Sequence, residues 1–200
     1  QMGEYGFSSW TLHMASIIVV APATTAPVDV TVTLEYRGGA IVSPRGARTP
    51  AGKPYTFSYS RFFVPIDWTI KFFEYGTDTD PVKQPAKFAK LLTGTPLKTA
   101  TANRLAYISG RAIEDGVPRD RFAFVAAGAT KLAPGDYTLQ VISDDGVRVW
   151  MDGAMVLDEW TPHESKVSRV SIRGGGERRF KVEYYDVTGF AELRFDIQRK

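Results

Sequence analysis

Asp144 and Asp145 are the side chains in this 200-residue sequence best equipped for chemistry. Two neighbouring carboxylates offer hard oxygen donors of the kind a divalent cation such as Ca²⁺ takes. On a regular strand, however, adjacent side chains point to opposite faces. The pair can act on one ion only where the backbone departs from extended geometry. The same residues also suit a plain turn, with Asp145-Gly146 joining two strands and Asp144 bonding nearby amides.

Other sources of chemistry are sparse. The sequence has no cysteine and two histidines, His13 and His163. Disulfides, thiolate metal sites and cysteine nucleophiles are therefore excluded, and His-based sites are starved. His163, beside Pro162 in a polar stretch, reads as a surface residue. Asp78 and Asp80 resemble part of a calcium loop without its closing glutamate. No nucleophile elbow, phosphate loop, dinucleotide fingerprint or zinc-protease helix is present. A glycosidase needs two carboxylates facing each other about 5–9 Å apart across a cleft, which adjacent aspartates do not supply. The expectation is a protein that is not an enzyme.

Charge points the same way. Lys and Arg number 25 against 22 Asp and Glu, for a net +3, too balanced to predict a nucleic-acid partner. The basic stretches Arg45–Lys53 and Arg173–Lys181 carry no interleaved aromatics and read as solvated surface. The longest apolar run, Ala15–Ala23, is broken by Ser16 and Pro22 and falls well short of the roughly 20 residues a spanning helix needs. It also lacks a signal-peptide pattern, so the chain reads as a mature or excised piece with no membrane insertion.

The elements that must position the aspartates are almost all strands. Val28, Val30, Val32, Leu34 and Tyr36 alternate with polar residues, as do Tyr55, Phe57 and Tyr59, a period of two. Trp10–Val20 is also strand-like, and Ser43–Pro54 reads as a loop. Pro85 opens the one convincing helix, with Phe88, Leu91 and Leu92 at helical spacing. Further on, Tyr137, Leu139 and Val141 alternate, then Val147, Val149 and Met151. Asp152-Gly153 suits a tight hairpin, and Gly174-Gly175-Gly176 reads as a second hairpin turn. Phe180, Val182 and Tyr184 precede a last strand carrying Leu193, Phe195 and Ile197. Short strands at this spacing predict an all-β, antiparallel sandwich. Residues 1–61 form an additional N-terminal β segment and 62–200 the sandwich domain.

The run Gly135-Asp136-Tyr137-Thr138-Leu139, followed by Ser143-Asp144-Asp145-Gly146-Val147-Arg148-Val149-Trp150-Met151-Asp152-Gly153, resembles the signature of the PA-fourteen family, named after the anthrax protective antigen. Val156-Leu157-Asp158-Glu159-Trp160 and Lys181-Val182-Glu183-Tyr184-Tyr185 extend the likeness over residues 62–198. The resemblance implies a barrel-like sandwich with Greek-key connections, serving a larger secreted or cell-surface protein, with a bacterial periplasmic or extracellular home. It also implies a cis peptide between the aspartates, aiming both at one Ca²⁺ whose shell vicinal sugar hydroxyls complete. The second calcium loop would be Asp186-Val187-Thr188-Gly189-Phe190, with Asp186 where the yeast flocculins use Asn and with carbonyls near Thr188 and Phe190 contributing. The metal set is then Asp144, Asp145 and Asp186. Trp160, Tyr185 and Phe190 become candidate sugar-stacking rings, Trp160 foremost.

Two functions remain open at this level. One is a non-catalytic carbohydrate-binding or adhesion module with a glycan or polysaccharide partner. The other is a ligand-free structural module, a spacer, shield or assembly surface that meets neighbouring domains or protein subunits. The extra strands of residues 1–61 favour docking onto a neighbour.

Overall fold

The computed structural model describes the backbone of two early strands, β1 (Thr24–Leu34) and β2 (Tyr55–Phe63), and residues 64–200 in full. The expected strand at Trp10–Val20 and the expected loop at Ser43–Pro54 lie outside the described residues. β1 and β2 pair in a two-stranded sheet of their own. The chain divides into two compact units, and residues 63–200 belong to the second.

The second unit is a β-sandwich. Its elements are β3 (Trp68–Glu74), a 3-10 turn (Thr77–Thr79), α1 (Pro85–Leu92), β4 (Lys98–Ala102), β5 (Ala106–Ser109), β6 (Phe122–Leu132), β7 (Asp136–Asp144), β8 (Val147–Met151), β9 (Ala154–Glu159), β10 (Lys166–Arg173), β11 (Gly176–Asp186) and β12 (Ala191–Arg199). One sheet runs β10-β7-β12-β5 and the other β4-β3-β6-β11-β8-β9, with antiparallel pairing throughout.

The two-residue periods become two faces. Leu139 and Val141 on β7, Val147 and Val149 on β8, Val182 and Tyr184 on β11, and Leu193 and Phe195 on β12 are all buried. Aromatic rings join the sheets: Trp68 meets Phe195 at 5.2 Å, Phe180 meets Phe195 at 5.4 Å, and Phe72 meets Tyr107 at 6.2 Å between centroids. Edge-on contacts of this kind add to the area the rings bury.

Chain order explains where a site forms. The connections β7–β8, β9–β10 and β11–β12 each carry the chain from one sheet to the other. Three such crossovers supply the irregular backbone that a regular ladder cannot. Asp152 and Gly153 make the expected hairpin between β8 and β9, with φ of 52° and 84°. The triglycine is different. β10 and β11 lie in different sheets, so Gly174-Gly175-Gly176 turns a corner and is no hairpin. A β-carbon on Gly174 would come within 2.2 Å of the Ala133 carbonyl, which explains glycine there.

α1 starts on Pro85 as expected, where a missing N–H costs nothing. It buries Phe88 against Tyr75, Ala123 and Tyr185, with Leu91, Leu92, Trp160 and Val187 packed around them. This small second core supports the crossovers. Before it, Asp80 Oδ1 accepts the amides of Val82 and Lys83 at 2.9 and 2.7 Å, so Asp80 caps a turn.

Candidate functional site

The three crossovers meet around Asp145. Its Oδ2 accepts the Val187 amide at 2.8 Å, from the β11–β12 connection. Its Oδ1 accepts the His163 amide at 3.2 Å, from the β9–β10 connection. Asp145 itself begins the β7–β8 connection, and the peptide joining it to Asp144 is cis. The Tyr184 hydroxyl donates to the Asp144 carbonyl. Asp144 and Asp145 then share one open cleft of about 500 Å³ with residues 162–164 and 187–190.

The cleft is strongly acidic for its degree of burial. Asp144 is 9% exposed and Asp145 7%. Burial first, and then the charge of Asp145, raises the Asp144 carboxyl above the usual carboxylate range. Burial raises Asp145 too, against the pull of its hydrogen bonds from Val187 and His163.

Asp186 closes β11 and is fully buried. Neither of its carboxylate oxygens has a hydrogen-bond partner among the described residues. Its backbone is anchored, since the Tyr75 hydroxyl donates to the Asp186 carbonyl at 2.9 Å. Burial, followed by the charges of Asp145, Asp120 and Asp144, pushes its carboxyl up to about 7. Buried polar atoms are nearly always bonded, so two bare carboxylate oxygens here are donors of the kind that would fit a hard cation.

The donor set fits Ca²⁺ in kind. The side-chain donors are oxygens, and Thr188 and Phe190 of the flanking loop line the cleft. Among the described residues no three His, Cys, Asp or Glu side chains are grouped to hold a metal on their own. An ion at this place would therefore draw on carbonyls, water or ligand hydroxyls as well, which suits a cation taking six to eight oxygens.

The structure sorts the remaining candidates. Thr188 and Phe190 line the cleft, and Phe190 is 46% exposed. Asp186 lies buried just before that segment and does not line the cleft surface. Tyr185 has no exposed surface, so it cannot stack on a sugar. Its ring sits in the second core and its hydroxyl donates to the Trp160 carbonyl at 2.8 Å. Trp160 is no open platform either. Its ring packs edge-on to Tyr185 at 4.8 Å and to Phe88 at 5.8 Å. Arg148 stands 4.3 Å above its centroid, and its Nε1 donates to the Pro81 carbonyl at 3.3 Å. The sequence offers both as stacking rings; packing of α1 on the β9–β10 connection draws them inward.

Four contributors carry no signal in the sequence. His163 joins the cleft through its amide, and its Nε2 is buried without a partner among the described residues. Glu164 stands on the rim. Asp120 accepts the Gly189 amide at 2.9 Å across 69 residues of sequence, and the adjacent Arg121 amide donates to the Val187 carbonyl at 3.2 Å. The pair grips the 187–190 loop, with Arg121 at a φ of 56°.

The PA14 domain family matches residues 75–198. A stretch of 51 residues is 33% identical to the anti-sigma-I factor RsgI3 of Acetivibrio thermocellus, covering 24% of this chain and 8% of that much longer protein. The PA14 sugar-binding domain of an RTX adhesin shares the fold, with a TM-score of 0.51 and 18% identity over 68% of this chain and 91% of that one. So does the epithelial adhesin 9 A domain of Candida glabrata, solved with Galb1-3GlcNAc, with a TM-score of 0.53 and 10% identity over 67% and 82%. The chain belongs to the PA14 domain family.

Proposed function

We propose that residues 63–200 form a non-catalytic glycan-binding module whose cleft works through a cation held by Asp144, Asp145 and Asp186. The observation that carries this reading is the pair of buried, unbonded carboxylate oxygens of Asp186 beside a cleft lined by two further carboxylates. Bound Ca²⁺ would supply an electrophilic centre for vicinal sugar hydroxyls. The chain's own residues do the rest. Asp145 fixes three crossovers in register, and Thr188 and Phe190 offer a loop wall with an exposed ring. Phe190, in the cleft lining and 46% exposed, takes the stacking role in place of the half-buried Trp160.

Two fold relatives are described by their sugar ligands, which supports a glycan partner. A secreted or cell-surface site of action goes with that partner. Among the described residues no helix is long and apolar enough to cross a membrane.

The identity shared with an anti-sigma factor favours a second reading, a sensing or assembly module with a protein partner. One experiment separates them. Calorimetric titration of the full chain with Ca²⁺, then a glycan array in calcium and in chelator, is run beside the double variant Asp144→Ala with Asp145→Ala. The glycan reading expects cation-dependent array signal that the double variant loses. No cation uptake and no glycan signal in the wild type leaves the protein-partner reading.

A further inference from the structure

We propose that Glu164 is a specificity-determining residue, making the cleft select neutral glycans and turn away carboxylated or sulfated ones. The inference rests on the glycan-binding reading and adds the class of sugar. Three side-chain carboxylates line the cleft, those of Asp144, Asp145 and Glu164, and no lysine or arginine does. Buried Asp186 adds a fourth acidic group beside them. The three lining carboxylates outnumber the two charges of one divalent ion, so an anionic sugar would meet a surface of its own sign even with the cation in place.

Glu74 apart, Glu164 differs from the other described glutamates of the sandwich. Glu114, Glu159, Glu177, Glu183 and Glu192 each pair with a Lys or Arg. Among the described residues Glu164 has no such partner. Its one basic neighbour in the lining, His163, turns Nδ1 to the Glu164 carbonyl at 2.9 Å, not to its carboxylate.

The Glu164 backbone is also anchored on both sides. On one side the His163 amide is tied to Asp145. On the other, Ser165 Oγ donates to Glu192 Oε2 at 2.5 Å. With both neighbours anchored, the Glu164 backbone stays at the rim, and its charge is felt at both Asp144 and Asp145. Repulsion of the wrong ligand is a recognised route to specificity. Because Glu164 is exposed, the effect is screened by salt.

The test uses the full chain in calcium, at low ionic strength, on an array carrying neutral glycans and the sialylated, uronate-bearing and sulfated forms of the same cores. The wild type is expected to bind the neutral forms at least about tenfold better than their charged counterparts. Glu164→Gln should narrow that ratio about threefold, and Glu164→Lys further. Equal binding of charged and neutral forms by the wild type overturns the proposal. So does a ratio that neither substitution moves, and neutral-glycan binding would then leave the underlying reading intact. An array with no signal at all overturns both.

Discussion

Gly146 lies flat against the ring of Tyr185. A β-carbon on Gly146 would stand 2.3 Å from Tyr185 Cε1 and 2.5 Å from Cζ, while the Tyr185 amide donates to the Gly146 carbonyl at 3.0 Å. The glycine that follows the paired aspartates is thus a packing requirement of the second core. The ring cannot easily retreat, since Tyr75, Phe88 and Trp160 surround it.

Gly146→Ala should therefore destabilise the fold by about 2–3 kcal/mol through overpacking. For a chain of this size that lowers the thermal midpoint by roughly 5–10 °C, readable by circular dichroism. A midpoint within a degree of wild type would mean that the Tyr185 ring moves aside freely.

Asp186→Asn tests the buried carboxylate. In chelator at pH 8 an unpartnered buried charge gives way to a neutral amide of equal size, so the variant should gain about 1–2 kcal/mol over wild type. An amide oxygen is a weaker cation donor than a carboxylate. The rise in midpoint on adding calcium should accordingly shrink. The same calcium-induced rise in both proteins would remove Asp186 from the metal set.

The phenols predict behaviour at high pH. Burial, and then the charge of Glu114, pushes Tyr107 up to about 12. Burial first and neighbouring acids next raise Tyr75, Tyr184 and Tyr185 further still. A folded-state pKa above the unfolded value of 10 means that the fold holds these protons more tightly. Their contribution to stability is complete below about pH 10 and is lost as the pH climbs toward the folded values. Of nine tyrosines, these four should ionise together with loss of the sheet signal. Absorbance at the phenolate band, followed alongside circular dichroism, checks it; full ionisation near pH 10 with the sheets intact would contradict it.

Trp160 and Phe190 should respond in opposite ways. Trp160→Ala removes a ring wedged between Phe88 and Tyr185 and should cost about 3 kcal/mol or more of stability. Phe190→Ala trims an exposed ring, with a stability change within about 0.5 kcal/mol and a several-fold loss of glycan affinity. Unfolding curves and array titrations on both variants decide. Affinity loss for Trp160→Ala without destabilisation would restore the tryptophan as a platform.

The sequence by itself determined the strands and much of their inward faces. Alternation at Leu139–Val141, Val147–Val149 and Leu193–Phe195 is a local pattern, as are Pro85 at a helix start and Asp152-Gly153 in a hairpin. Such features depend on neighbours within a few residues, so they can be read before any fold is known. The acidic pair at 144–145 was legible for the same reason.

Tertiary structure alone decided what stands around that pair. Asp120 and Gly189 are 69 residues apart, and His163 reaches Asp145 across 18; no period along the chain records either contact. Helix packing likewise drew Tyr185 into the core and Trp160 partly under cover, and the division of β10 and β11 between sheets turned a triglycine from hairpin to corner. Burial is a property of what other segments bring to a residue, and three crossovers meeting at one point bring segments that the linear order keeps apart.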